Sequence, residues 1–355
     1  MITIATDFSK RTSQFSVFDN NGNRVHRCKL ENKPELLIEF VSRYPGPKTV
    51  VLEATRNWGL FYDTVAPYCD RFLLGHPKKM KAITESETKN DKRDADLIGQ
   101  LALSGFLPKA HVSSQQTRHL RSLLRFRYFL VGQRRSIRNQ VQILLDRNLW
   151  PCQRPRSFKD PFCQRGLRWM QSLELPKRER FILDRLLESF HQLSERIQAM
   201  ENFIQKQPWD EISDLSYLRK IPGYRKSIVN AYVVLTEIDD IQRFKKARHL
   251  AHYAGLIPSE HSSGDKHRTG RLVKDANHRL RTAIIESTFA AIRADKGLKA
   301  YYQKVKKQSG SGSAIIACAR KLCYAIYHVL KFKVDYKPFQ PPVTAYLPSS
   351  IPSKG

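Results

Sequence analysis

Four acids in the first hundred positions, Asp7, Glu53, Asp91 and Asp94, have the types and spacing for metal-assisted chemistry on a phosphodiester. Asp7 and Glu53 each close a β-branched, apolar run, ITIATD and TVVLE, and a strand ending in an acid carries it to the rim of a sheet. Asp91 and Asp94 are three apart on a predicted helix, so both lie on one face. Carboxylates gathered without counter-charge repel and raise one another's pKa. A pair of divalent ions roughly 4 Å apart relieves that repulsion and clamps the attacking and leaving oxygens of a phosphoryl transfer. Taken singly, each acid is an ordinary cap, turn residue or surface charge; the joint pattern carries the reading. Asp96 points to another side of the same helix and is the weaker candidate.

A second reactive set lies far along the chain. Ser262-Ser263-Gly264 sits in a polar, glycine-punctuated stretch, 257–275, that reads as a basic surface loop. Lys266, Arg268, Arg271, Lys274, Arg279 and Arg281 follow with only Asp275 opposed, the composition of a phosphate clamp. A serine hydroxyl is a weak nucleophile until its proton is removed or its charge stabilised. No general base stands out; His261 and His267 read as nucleic-acid contacts or bystanders.

The totals agree with a polyanionic partner. The chain has 355 residues, 62 Lys and Arg against 33 Asp and Glu, and a net charge of +29. A balance this basic favours nucleic acid over a merely solvated surface. No apolar run suggests a membrane span and the N-terminus lacks a signal-peptide order, so a soluble, cytoplasmic, nucleoid-associated protein is expected. The six cysteines form no C-x-x-C pair and no zinc spacing.

The elements that must position these groups follow from pattern. Residues 2–7, 15–18 and 24–30 read as strands, the last two joined across Asn21-Gly22 as a hairpin. A helix begins near Pro34, strands cover 49–53 and 71–75, and helices cover 59–68 and 90–104. This makes a mixed α/β domain over 1–112. Residues 113–207 read as a helical, coiled-coil arm: one helix over 114–148, a proline-broken turn, and a second over 177–206. Leu186, Phe190, Leu193, Ile197, Met200 and Ile204 recur there at steps of four and three. Arg118, Arg121, Arg125, Arg134, Arg135 and Arg138 make the first arm helix a candidate nucleic-acid surface. Residues 208–334 read as a mainly α-helical second domain, and 335–355 as a proline-rich flexible tail. Within 218–235 a helix-hairpin-helix would grip phosphate at Gly223; an ordinary tight turn is the alternative.

The motifs together resemble a known family. Thr6-Asp7-Phe8-Ser9-Lys10, Leu52-Glu53-Ala54-Thr55 and Lys89 through Ala95 are similar to the RuvC-like (RNase H-like) DEDD domain of insertion-sequence family 110 transposases, the Piv-like recombinases. Ile221-Pro222-Gly223, His252 through Pro258, Ser262-Ser263-Gly264 and Lys274 through Arg281 resemble that family's serine-bearing domain. The departures are Ala5-Thr6 before the first Asp, Tyr224-Arg225 after the Pro-Gly, and Ala276 before Asn277. The resemblance implies metal ligation by Asp7, Glu53, Asp91 and Asp94, with Mg2+ or Mn2+, and a nucleophile at Ser263, with Ser262 as runner-up. It also implies double-stranded donor and target DNA, a structured non-coding bridge RNA, and a homotetramer built as a dimer of dimers. Two other readings remain open: a RuvC-like metal-dependent nuclease without serine chemistry, and a non-catalytic nucleic-acid-binding protein on the same scaffold.

Overall fold

A computed structural model describes residues 1–84, 91–148, 154–155, 157–207, 214–263 and 266–340. The chain divides into two compact units, residues 1–115 and 116–355.

The first unit is built on a five-stranded mixed sheet. Its strands are β1 (Ile2–Phe8), β2 (Thr12–Phe18), β3 (Arg24–Glu31), β4 (Lys48–Glu53) and β5 (Arg71–Gly75), in the spatial order β3-β2-β1-β4-β5. β1, β2 and β3 pair antiparallel, whereas β1–β4 and β4–β5 are parallel. Parallel neighbours need crossovers, supplied by α1 (Pro34–Ser42) before β4 and α2 (Trp58–Val65) before β5. Gly22 adopts φ 82° at the β2–β3 turn, a conformation glycine reaches without steric cost.

Strand alternation divides the core between the two faces. Ile4, Phe15, Val17, Val50 and Leu52 pack with Leu37, Phe40, Phe61 and Val65 of α1 and α2. Ala5, Phe18 and Val51 point the other way and pack with Ile98 and Leu101 of α4 (Asp91–Leu103). A short helix, α3 (Pro77–Thr84), brings Met80 to the same layer.

The second unit is helical. It begins with α5 (Gln115–Arg147), followed by α6 (Gln164–Ser172) and α7 (Lys177–Gln205). Leu144 and Leu145 of α5 meet Leu183 and Leu187 of α7, while Leu130 meets Leu193 and Ile197. Contacts that run in opposite chain directions make α5 and α7 an antiparallel pair. The buried positions of α7 include Leu183, Leu187, Phe190, Leu193 and Ile197. Leu186 and Met200, expected in the seam, are only partly buried.

The rest of the unit wraps α9 (Ile228–Ile238), which is buried along almost its whole length. Around it lie α8 (Leu215–Lys220), α10 (Ala247–Tyr253), α11 (His278–Ala294) and α12 (Lys296–Phe332). α12 is broken at Gly310 (φ 80°, ψ 170°), within the run Ser309-Gly310-Ser311-Gly312-Ser313. It is long and apolar enough to cross a membrane by composition. Its apolar face, including Cys318, Leu322, Ile326 and Leu330, is fully engaged in the core.

Two local expectations need correction. The segment 257–275 is not an irregular loop: β6 (Pro258–Ser263) and β7 (Lys266–Leu272) form an antiparallel hairpin. Its strands, PSEHSS and KHRTGRL, lack the apolar alternation that marks a half-buried strand, so their polarity reads as loop. The flexible tail does not start at 335. Asp335 pairs with Lys220 at 2.5 Å, and Asp295 accepts from the Tyr336 hydroxyl at 2.6 Å and the Phe339 amide at 3.0 Å. Charge pairing and a buried acceptor hold these first residues to the helical core; 341–355 lie outside the described residues.

Candidate active site

Asp7 and Glu53 are brought together by the sheet itself. The parallel register pairs Thr6 with Leu52, so the next step along both strands sets Asp7 beside Glu53. Asp7 shares strand parity with Ala5, and Glu53 with Val51, and both of those residues face α4. The two acids therefore end adjacent strands, on one face and at one rim, each half-buried.

The direction of α4 decides which of its ends approaches that rim. Asp96 accepts a hydrogen bond from Ser16 Oγ at 2.6 Å, and Ser16 is cross-strand from Ala5. Farther along, Gly99 packs so closely on the Phe18 ring that a Cβ would overlap it, and Phe18 is cross-strand from Thr3. The helix thus descends from the Asp7 end of β1 toward its start, and its N-terminal turn lies toward the carboxylate rim. Asp94, one position before the buried Ala95, is half-buried there. α4 opens at Asp91, whose side chain is outside the described residues.

Asp96 has a different task. Its carboxylate binds Arg24 at 2.6 Å and also Arg27, both on β3. It fastens the acid-bearing helix to the hairpin, so the sheet-facing acids keep their placement.

The residues immediately after the two strand-end acids build a basin of about 460 Å³ lined by Phe8, Ser9, Lys10, Thr55, Arg56 and Asn57. Thr55 Oγ1 is buried there without a hydrogen-bond partner among the described residues. Two cations beside an acidic rim suit a phosphodiester whose non-bridging oxygens face away from the carboxylates. Sequence reasoning gave Lys10, Thr55 and Arg56 no role. Their signal was position, since the residues that follow a strand-end acid must line the same rim.

Among the described residues no three His, Cys, Asp or Glu side chains form a metal-binding group. The donor chemistry nonetheless fits a hard divalent ion, because Asp7, Glu53 and Asp94 offer only carboxylate oxygen.

In the second unit, Ser262 and Ser263 end β6, with Ser263 opposite Lys266, Ser262 opposite His267 and His261 opposite Arg268. Directly opposed residues share a ribbon face, and faces alternate along a strand. Positions 261, 263, 266 and 268 therefore form one face, and 260, 262, 267 and 269 the other. Gly264 and Asp265 lie outside the described residues.

A buried ion cluster lies in the same unit. Glu237, 2 % exposed, takes two hydrogen bonds of 3.0 Å from Arg125. Asn277 Nδ2 donates to it at 2.8 Å, and Arg121 lies 3.7 Å away. Burial opposes ionisation of Glu237, but the Arg125, Asn277 and Arg121 contacts outweigh it and hold the carboxyl below its usual range. Asn277 also caps α11 by accepting from Leu280 N–H at 3.0 Å, a capping role that its side-chain oxygen favours. Arg281 donates to Ala254 O at 3.2 Å and to Val273 O at 2.6 Å. Gly255, at φ 66°, leaves the space its guanidinium occupies.

The expected nucleic-acid contacts therefore divide. Arg121 and Arg125 bind Glu237, Arg134 donates to Ser194, and Arg138 pairs with Asp160 over the Phe162 ring. Arg118 is engaged within the chain, while Arg135, Lys274 and Arg279 are exposed. The side chains of Lys266, Arg268 and Arg271 are outside the described residues. Gly223, at φ 102°, packs directly on the Ser287 carbonyl of α11, so helix packing alone requires glycine there.

Comparison with known proteins identifies transposases in both units. Residues 4–149 match the DEDD transposase family of IS110, and residues 215–303 match the IS116/IS110/IS902 transposase family. The transposase for insertion sequence element IS1111A of Coxiella burnetii is 24% identical over 94% of this chain and 91% of its own length. A probable family 20 transposase of Pseudomonas aeruginosa is 25% identical over 94% of this chain and 98% of its own length. The pilin gene-inverting protein of Moraxella lacunata is 34% identical over 33% of this chain and 36% of its own length. The unit built on the five-stranded mixed sheet is thus the first part of a DNA transposase or recombinase. The chain belongs to the IS110 family.

Proposed function

We propose that this enzyme cuts and rejoins DNA through a composite site, with Asp7, Glu53, Asp91 and Asp94 holding a divalent ion and Ser263 as nucleophile. The observation that carries the metal half is the parallel register that sets Asp7 beside Glu53 on the α4 face. A bound Mg2+ or Mn2+ would polarise the scissile phosphate and stabilise charge on the leaving oxygen. Lys10, Arg56 and Thr55 would hold the neighbouring backbone, and Asp96 keeps α4 in place. Ser263 Oγ bonds to phosphorus as the bond to one deoxyribose oxygen breaks, and the serine proton leaves with that alkoxide. The phosphoserine retains the phosphodiester energy, so a second strand's hydroxyl can reverse the step without ATP.

Ribbon parity supports Ser263 over Ser262. Position 263 shares its strand parity with Lys266, His261 and Arg268, whereas 262 shares its parity with Glu260, His267 and Thr269, so the fixed charges are two cations on the first face and one anion on the second. A nucleophile attacking an anionic phosphate gains from the first set and loses from the second. Ser263 and the carboxylates belong to separate units, so the proposal requires them to act on one phosphorus, within one chain or between subunits of a tetramer. A structured guide RNA pairing with donor and target DNA belongs to the same reading through family membership.

The test is a suicide DNA substrate incubated with Mg2+, followed by peptide mapping of the protein–DNA adduct. Adduct at Ser263, lost in Ser263→Ala and retained in Ser262→Ala, is expected. Recombination by Ser263→Ala at the wild-type rate would overturn the serine step and leave a RuvC-like nuclease.

A further inference from the structure

A cavity of about 1040 Å³ opens in the second unit, away from β6 and β7, where α8, the turn after it, the end of α11 and the start of α12 meet. Lys220, Arg225, Lys226, Arg293 and Lys296 line it, one or two from each of those four segments. Lys220 is neutralised by Asp335 at 2.5 Å. Arg225, Lys226, Arg293 and Lys296 are exposed and pair with no acid among the described residues.

The acids at the cavity are already committed. Asp335 holds Lys220. Asp295, 4 % exposed, caps α12 through Leu298 N–H at 2.8 Å and accepts from Tyr336 and Phe339. Residues 341–355 contain neither Asp nor Glu. Four uncompensated cations around one concavity repel each other, and an external polyanion would relieve that repulsion.

Size and lining narrow the ligand. The space far exceeds one phosphate and matches a stretch of several nucleotides. Tyr336 and Phe339 stand on its wall with ring centroids 6.1 Å apart. The Tyr336 hydroxyl is tied to Asp295 at 2.6 Å, and Phe339 packs on Gly297 so tightly that a Cβ there would overlap its carbonyl. Aromatic faces held in place beside a cationic track are the means by which proteins bind unpaired strands, bases stacking while cations follow the backbone.

We infer that this cavity binds an unpaired nucleic-acid strand, with Arg225, Lys226, Arg293 and Lys296 on its phosphates and Tyr336 and Phe339 beside its bases. The site does no chemistry; it holds a strand apart from the reacting duplex. It deepens the recombinase reading and rests on it. DNA and RNA share the required backbone, and the assay separates them.

The experiment compares the full-length protein with a variant carrying Arg225→Gln, Lys226→Gln, Arg293→Gln and Lys296→Gln. Affinity for a labelled single-stranded oligodeoxynucleotide, the matching oligoribonucleotide and a duplex is followed through a salt titration. Loss of four phosphate contacts reduces the slope of log K against log salt by about three for single strands, with an unchanged circular dichroism spectrum. A fall with only one single-stranded probe assigns the site to that nucleic acid. An unchanged slope with both, or a fall confined to duplex, overturns the inference. So does an equal fall on changing Lys29, Lys33, Arg43 and Arg71 to Gln, since that would report net charge alone. Asp7→Asn serves as the separate check on function: it should lose cleavage and keep the wild-type slope. If the wild-type protein cleaves no DNA, the recombinase reading fails while the slopes still judge the cavity.

Discussion

Asp7 and Glu53 differ from most of the 33 acids here because neighbouring parallel strands end on them together. Asp7→Asn or Glu53→Gln should reduce metal-dependent strand cleavage by at least about 10²-fold, with affinity for DNA nearly unchanged, because the carboxylate removed would hold the cation that stabilises the transition state. Lys10→Ala with Arg56→Ala should do the reverse, weakening binding and lowering the salt slope by about two. Glu237 gives a pH signature. Its folded pKa is depressed below 4.5, so its contribution is complete above the unfolded value and vanishes as pH falls through the folded one. Melting temperature should therefore drop below about pH 4.5 more steeply in the wild type than in Glu237→Gln, measured by calorimetry from neutral pH downward. Matching slopes in the two proteins would mean the carboxylate contributes no such linkage.

At the scale of elements, the strands of the five-stranded sheet were legible, the polar β3 through its Asn-Gly hairpin, whereas the polar β6 and β7 were not. β1, β4 and β5 appear as TVVLE-like runs because both faces of a parallel sheet are covered, and their bounds lie within a residue or two of expectation. β6 and β7 carry serine, histidine, lysine and arginine in place of apolar alternation. Only the two-residue Gly264-Asp265 separator, a hairpin signal, hinted at them. The arm arginines were ambiguous for a related reason. A guanidinium reads identically whether it faces phosphate or a buried acid more than a hundred residues away, and Glu237 gave no local sign of being that acid. Arg125→Ala leaves Glu237 with Arg121 and Asn277, and should destabilise the second unit by about 2–3 kcal/mol in denaturant unfolding. Gly223→Ala should cost at least about 1–3 kcal/mol, from positive φ and overlap with the Ser287 carbonyl.

For the whole molecule, two compact units within one chain predict unfolding that need not be two-state. Asp96→Ala should lower the first thermal transition and leave the second unmoved, whereas Arg125→Ala should do the opposite; a single shared shift would show the units melt as one. The hold on Tyr336 and Phe339 also constrains handling of the protein. Trimming the C-terminus before Tyr336 strips a buried carboxylate of two donors and bares the α12 cap, so such a product should be heat-labile and prone to aggregation. Affinity tags belong after Gln340, where a fusion leaves the Asp295 latch closed.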